Sequence, residues 1–500
     1  MFAAMVLPVA AAPSSYSITI SNRNAGHIYE AYQVFSGSLE TVDGENVLVD
    51  ITWGSGVNGS DLLATLKTLT VGETTPFSGA TSAAEVAEVL DNAIDDSELA
   101  KAFADTATKH LTTVKAVSTY QIYDYSISVS QPGYYLIKDQ ADTMDGKNDT
   151  YTRRILAVAD TNVSVEHKGT VPTVEKYITG SEESVSVRDC SIGDTVTFCL
   201  KGKLPDNYDD YKTYKYIFHD TLPEGLTYDK TSLTITVGNN NTWDVNYNEA
   251  TRQLTITCND LKAVAGVDKN TIIRVTYSAK LNEKAVLGNA GNTNTVYLEF
   301  SNDPNDSSKT GQTVTETATV YTFGLNITKV DAEDQNKTLA GAEFKLKNTD
   351  GEFAKIDDNH KVIGWTDTEA EGATLVSGAD GSFEIQGLGA DTYLLKETKA
   401  PAGYNRLEKQ VTIIISYETD ENGVSSLTAK AGTDNKNLIQ NTGDPSTGMI
   451  TIPIVNGKGA LLPSTGGAGT TAFYLIGGVL VLGAAVLLVT KKRMSAHVSE

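Results

Sequence analysis

The sequence predicts a mostly β chain of several sandwich domains in tandem, and three observations carry that prediction. Thr, Val, Ile and Tyr are abundant, and these residues fit a pleated, half-buried surface. Short segments alternate apolar and polar residues, as in Leu233-Thr234-Ile235-Thr236-Val237 and Leu254-Thr255-Ile256-Thr257, the pattern of strands with one face in a core. Helical periodicity is confined to one region. There Ser60 to Leu69 and Ser82 to His110 read as helices, the second opening with Ser82 and Glu85 at capping-box spacing.

Five hundred residues allow about three domains with full cores. Residues 14–168 form the expected first domain, strands with a helical insertion, closed by Asn162-Val163-Ser164-Val165. Gly169-Thr170-Val171-Pro172 reads as a linker into a second β-sandwich, 169–323, and a third spans 324–456. Immunoglobulin-like sandwiches are the expected architecture of this tandem array. At the other extreme, Phe2 to Ala12 is apolar and ends in Val9-Ala10-Ala11-Ala12. Small residues there suit signal peptidase, so 1–13 is expected to be a signal peptide. Its basic leading residues are missing, which a start at an internal Met would explain.

The charge excludes one class of partner. A formal net charge of −23 argues against nucleic acid, because phosphate affinity rests on Lys and Arg. Cys190, Cys199 and Cys258 are too few for a disulfide scaffold; a pair could bridge, but an odd count leaves one free, and a buried apolar role is the default. The six histidines are scattered, and none forms a recognisable nucleophile or metal motif with a cysteine. Acidic loops such as Asp43-Gly44-Glu45-Asn46 and Asp420-Glu421-Asn422-Gly423 lack calcium-loop spacing and read as turns. Neither a metal, a cofactor nor an enzyme active site is expected.

The tail, 457–500, has three parts. Leu462-Pro463-Ser464-Thr465-Gly466 follows a flexible Gly-rich stretch, an apolar run covers 471–489, and Lys491-Lys492-Arg493 comes next. The run is long enough to cross a bilayer as a helix. Basic residues behind it stay cytoplasmic, which puts the rest of the chain outside. This ending resembles a cell-wall sorting signal. The resemblance implies that sortase cuts between Thr465 and Gly466 and passes Thr465 to an amine, leaving the mature protein on peptidoglycan without its helix.

A second chemistry comes from the period-two rule, by which alternate residues share a strand face. Lys329 is in phase with Leu325 and Ile327, Asn456 with Ile450, Ile452 and Ile454, and Glu397 with Tyr393 and Leu395. A lysine, an asparagine and a glutamate are thus expected in one apolar core. Desolvation favours their neutral forms, and a neutral lysine is a nucleophile. A protonated Glu397 could then donate to the Asn456 amide oxygen and shuttle protons while ammonia leaves. An ordinary Lys–Glu ion pair with a bystander asparagine is the rival reading. In the middle domain Lys176 shares a face with Val174 and Ile178, and Asp220 with Tyr216 and Phe218. Asn292 and Asn294 are both in phase with Val296, Leu298 and Phe300, so phase does not choose between them.

Leu325 to Asp331, Leu339-Ala340-Gly341-Ala342-Glu343-Phe344 and Tyr393-Leu394-Leu395-Lys396-Glu397-Thr398-Lys399-Ala400-Pro401-Ala402-Gly403-Tyr404 together resemble the collagen-adhesin B-type domain of sortase-assembled Gram-positive major (backbone) pilins. The last stretch matches that family's E-box. The resemblance implies a Lys329–Asn456 isopeptide catalysed by Glu397. The middle domain resembles the isopeptide-forming domain of the same pilins, implying Lys176, Asp220 as acid, and Asn292 by the usual spacing of the closing strand. The first domain has no lysine in its opening strand Tyr16-Ser17-Ile18-Thr19-Ile20 and no glutamate in the E-box-like Gly133 to Asp139, so no cross-link is expected there.

Polymerisation requires one exposed amine per subunit. Lys168 lies on the opposite phase to Val163 and Val165, at the domain junction, where the resembled pilins carry their acceptor after a Tyr-Pro pair; this chain has Glu166-His167 instead. The expected protein is a structural pilus subunit with sortase, identical subunits, minor pilins and peptidoglycan as partners. The alternative is a monomeric wall-anchored adhesin for a host-surface ligand, protein or glycan.

Overall fold

The computed structural model describes residues 15–179, 184–238, 242–432, 439–460 and 468–495. The expected signal peptide and the motif Leu462 to Gly466 lie outside them. Among the described residues the strands build six sheets, packed face to face as three sandwiches in chain order.

In the first, Tyr16–Ser21 runs antiparallel to Asp124–Val129 and parallel to Val163–Glu166. Ile18, Ile20 and Ile127 of this sheet meet Tyr29, Ala31 and Ile137 of a second sheet built on Tyr29–Val42 and Gly133–Asp139. The second sheet is apolar on its other face too, because Val34, Phe35 and Leu136 carry a helical layer containing Leu62, Val86 and Phe103. That layer has three helices, Gly59–Leu66, Ala83–Asp91 and Glu98–Thr108, where periodicity predicts two. The long predicted helix breaks because Asp96 takes a left-handed φ of 59° and Ser97 caps a new helix, its hydroxyl accepting from Ala100 N at 3.3 Å. Ser82 caps the preceding helix through Glu85 N, but the Glu85 carboxylate reaches back to Thr81 N (2.5 Å), one residue earlier than a capping box requires.

The second sandwich packs the sheet of Thr173–Thr179, Thr195–Lys203 and Ile272–Leu281 against that of Tyr216–Thr221, Gln253–Cys258, Asn292–Ser301 and Glu316–Tyr321. Phe198, Phe218, Tyr277, Leu298 and Phe300 fill the space between. Cys190, Cys199 and Cys258 are free thiols, the last two buried. In the third sandwich the opening strand Phe323–Asp331 pairs in parallel with the closing strand Met449–Asn456, Asp331 opposite Asn456.

The sandwiches are joined in different ways. Only the buried Thr322 separates strand Glu316–Tyr321 from Phe323–Asp331, so the second and third share a nearly continuous chain path. Between first and second, the buried Asn302 donates to Met144 O (2.8 Å) and accepts from Tyr151 N through its carbonyl (2.8 Å). At the far end Ala468–Ser495 is one helix. Its segment Ala472–Lys491 has a mean hydropathy of 2.6, and 20 residues at about 1.5 Å each match the roughly 30 Å hydrocarbon core of a bilayer.

Ser97→Ala should remove a cap and destabilise the first domain by about 1 kcal/mol. Chemical denaturation followed by far-UV circular dichroism checks it, with the second and third domains unaffected.

Candidate cross-linking and assembly sites

Lys329 sits on the inward face of the third domain's opening strand because Leu325 and Ile327 claim the same face, and it is 0% exposed. Strand pairing brings the closing strand alongside, and Asn456 Oδ1 lies 2.5 Å from Lys329 Nζ. Glu397, on strand Thr392–Lys399 of the facing sheet, is buried next to both. Asn456 Nδ2 donates to Glu397 Oε1 and Oε2 (3.0 and 3.2 Å) and to Asn405 O (3.1 Å), and Leu407 N donates to Oε2 (2.6 Å). Lys329 Nζ stands 3.7 Å from Glu397 Oε1, with the Phe344 ring 5.7 Å away. Burial lowers the lysine pKa to about 8 against the opposing pull of Glu397. The amide orientation differs from the expected one. Its oxygen faces the lysine and its nitrogen, the atom that would leave as ammonia, faces the carboxyl group.

In the second domain Lys176 and Asp220 are in direct contact and completely buried. Burial pushes the lysine pKa down and the Asp220 pKa up, each opposed by the other's charge. Tyr277, which the sequence reading missed, completes the cluster. Its hydroxyl donates to Asp220 Oδ1 (2.8 Å), lies 3.4 Å from Lys176 Nζ and accepts from Asn294 Nδ2 (2.6 Å). Asn294 Oδ1 is buried without a hydrogen-bond partner. Tyr277 alternates with Ile273, Val275 and Ala279, so its inward face was legible but not its neighbours.

Asn292, the residue favoured by spacing, is held elsewhere. Its Nδ2 donates to Val286 O and Val320 O, and its Oδ1 accepts from Val286 N, at 3.0 to 3.1 Å. These three backbone bonds occupy both amide hydrogens and engage the amide oxygen. The register explains the difference: Asp220 pairs with Val296, so Asn294 is its diagonal neighbour on that face and Asn292 is one step further. The asparagine strand is also not the last of this domain, since Glu316–Tyr321 follows and pairs with it.

Lys168 lies just past strand Val163–Glu166 and is 30% exposed in its side chain. Its ammonium is clamped rather than free, donating to both oxygens of Asp96 (2.5 and 2.8 Å). Burial pushes the Asp96 carboxyl up, but Lys168 and Arg153 outweigh it and hold it below the usual range. Lys168 N donates to Thr152 Oγ1 and its carbonyl accepts from Arg153 N, each at 3.0 Å. The irregular break between helices, which carries Asp96, thus positions the amine. Periodicity gave no sign of this.

Comparison with known proteins agrees along the chain. Residues 192–304 match the Gram-positive pilin backbone subunit 2, Cna-B-like domain. Residues 323–432 match the SpaA prealbumin-like fold domain, and 454–495 the LPXTG cell wall anchor motif. The trypsin-resistant surface T6 protein of Streptococcus pyogenes serotype M6 is 22% identical over 398 residues, covering 65% of this chain and 70% of that protein. In fold, the chain is similar to the T6 backbone pilin of serotype M6 Streptococcus pyogenes, with a TM-score of 0.54, 15% identity, and 90% and 100% of the two chains covered. It is also similar to the full-length major pilin SpaD from Corynebacterium diphtheriae, with a TM-score of 0.50, 18% identity, and 89% and 98% covered. The anchor match and the apolar helix make this a cell-wall-anchored surface protein with a membrane-tethered precursor. With pilin-domain and anchor matches in order along its length, the chain is a structural pilus subunit similar to the backbone pilins of Gram-positive bacteria.

Proposed function

We propose that this pilus subunit stiffens itself with two Lys–Asn isopeptide bonds, Lys329–Asn456 and Lys176–Asn294, and is joined to its neighbour through Lys168. The observation that carries the first bond is the buried contact of Lys329, Asn456 and Glu397. Neutral Lys329 Nζ attacks Asn456 Cγ, and a new C–N bond forms as Cγ–Nδ2 breaks. Glu397 takes a proton from the attacking nitrogen and delivers it to Nδ2, which leaves as ammonia. Asp220 performs the same relay in the second domain, with Tyr277 linking it to Asn294. Closing loops of this size adds roughly 4–5 kcal/mol by restricting the unfolded chain, by analogy with disulfides.

Polymerisation follows from the two ends of the subunit. Sortase activates Thr465 of one subunit and transfers it to Lys168 of the next; minor pilins, peptidoglycan and a host-surface ligand complete the partners of this reading. The domain limits 14–168, 169–323 and 324–456 define its three rigid modules. Asp96 holds Lys168 Nζ through two hydrogen bonds, so the enzyme has to displace that contact before transfer.

The purified ectodomain should be lighter than its sequence mass by two ammonia molecules. Glu397→Ala and Asn294→Ala should each abolish one loss, whereas Asn292→Ala should keep both. Intact mass spectrometry decides it, and an unchanged loss in Asn294→Ala would return the role to Asn292.

The third-domain bond should form faster at higher pH. Only the neutral amine reacts, and with a pKa of about 8 that fraction rises about tenfold per pH unit below 8 and levels off above it. Chain isolated unfolded and not yet cross-linked from inclusion bodies, then refolded by dilution from denaturant at pH 6 to 9 with ammonia loss followed over time, gives the profile.

Lys168→Arg keeps the pairing with Asp96 but removes a usable nucleophile. In a strain with its own sortases it should abolish the ladder of covalent multimers in boiled wall extracts while monomer still reaches the wall. An unchanged ladder would move the acceptor to another lysine, such as Lys138 or Lys201. A wild type without a ladder would favour the monomeric adhesin.

A further inference from the structure

Three segments of the first domain converge beside Lys168 with side chains the assembly chemistry does not use. His27 comes from the turn between strands Tyr16–Ser21 and Tyr29–Val42, Asp149 from the loop after Gly133–Asp139, and His167 from the residue after Val163–Glu166. One ring nitrogen of each histidine and a carboxylate oxygen of Asp149 all lie within 4.8 Å of one another. Scattered through 140 residues of sequence, the three form no motif.

Hydrogen bonds orient both rings toward the same point. His27 Nδ1 is bonded to the Asp139 carboxylate at 2.8 Å, which leaves Nε2 facing Asp149 Oδ2 at 3.2 Å. His167 Nδ1 is bonded to the Tyr29 hydroxyl at 2.9 Å, and its Nε2 is buried with no hydrogen-bond partner. The two rings are 4.9 Å apart between centroids. Thr150 is 1% exposed, and its Oγ1 is likewise buried without a partner. A Cβ at Gly169 would fall 2.2 Å from Thr150 Oγ1 and 2.7 Å from His167 Nε2, so glycine keeps that side open. Histidine ligands of metals characteristically have their other nitrogen held by a carboxylate or similar group, which is the arrangement of both rings here.

We propose that His27 Nε2, Asp149 and His167 Nε2 bind a structural zinc ion, with the Thr150 hydroxyl beside the fourth position. Two imidazoles and one carboxylate suit a borderline-soft divalent ion, whereas Ca²⁺ and Mg²⁺ prefer all-oxygen sets. Tetrahedral Zn²⁺ with bonds of about 2.0–2.1 Å needs ligand atoms roughly 3.3–3.5 Å apart. His27 and Asp149, at 3.2 Å, come close to that spacing, and His167 lies within 4.8 Å of both. The alternative occupant of the cluster is a proton on His27 Nε2, shared with Asp149.

The ion would tie together three segments that meet at the junction. The loop bearing Asp149 also contacts the second domain, because Asn302 donates to Met144 O and Asp149 O. His167 directly precedes Lys168. Zinc would therefore anchor the seat of the proposed acceptor to both sandwiches, without taking part in the transfer.

The full chain, purified in detergent and stripped with chelator, is titrated with Zn²⁺ by calorimetry and loaded with Co²⁺ for visible spectroscopy. The expected result is one zinc per chain and a cobalt spectrum of tetrahedral nitrogen and oxygen ligation. His167→Ala and Asp149→Asn should abolish that stoichiometric binding. Tyr29→Phe leaves every ligand in place and should weaken it about 10–100-fold. Because the two ligand variants leave the apolar core intact, circular dichroism should show them folded. Failure of the wild type to bind one equivalent would overturn the site in favour of the shared proton. So would binding unchanged in both ligand variants, or a thiolate charge-transfer band showing that the cysteines hold the metal.

Discussion

A lysine amine without water is the constraint on which this molecule depends. An ammonium ion in a dry core is several kcal/mol out of equilibrium unless it is paired, hydrogen-bonded or neutralised. Lys329 and Lys176 both meet that condition inside apolar sandwiches, the first beside Glu397 and Asn456, the second beside Asp220 and Tyr277. The surrounding packing of Phe344 or Phe198 excludes the water that would otherwise hydrate the charge. In the proposed reaction, converting the amine to an amide would remove the charge for good and so relieve the penalty that burial imposes. Stability and reactivity therefore arise from the same side chains.

The two domains place that chemistry differently in the path of a pulling force. In the third, Lys329 and Asn456 lie on the first and last strands, which run in parallel. The proposed bond between them would carry tension from one end of the domain to the other and leave the rest of the sandwich unloaded. In the second, Asn294 lies on Asn292–Ser301, and the chain still has to pass through Glu316–Tyr321 before it leaves. A Lys176–Asn294 bond would bypass everything up to residue 294, but the hairpin beyond it stays under load. Its antiparallel pairing, with Asn292 bonded to Val320 O, is what resists there. Asn292 thus has a structural reason to be buried in its own right.

The first domain works by a different principle. Its sheet is covered on its outer face by helices, and the irregular break between two of them delivers Asp96 to Lys168. A surface ion pair of this kind contributes little to stability. Its value is geometric, since it holds a long flexible side chain in one direction at the junction of two domains. The junction includes hydrogen bonds from the Asn302 side-chain amide to Met144 O and Asp149 O and from Tyr151 N to Asn302 O, so the orientation of the amine is linked to the docking of the second domain.

Period-two alternation was enough to place Lys329, Asn456, Glu397, Lys176 and Asp220 on inward faces, because which face a strand residue takes is a local property. The ordered motifs of the tail and the E-box were legible for the same reason, as contiguous residues. What alternation could not supply was the register between strands distant in sequence. Asn292 and Asn294 share a face, and only the pairing of Asp220 with Val296 puts the second of them diagonally beside Asp220 and within reach of Tyr277. Tyr277, the clamp of Asp96 on Lys168 and the meeting of His27, Asp149 and His167 were hidden likewise. Each joins residues separated by tens to more than a hundred positions, and long-range packing, not local periodicity, decides such contacts.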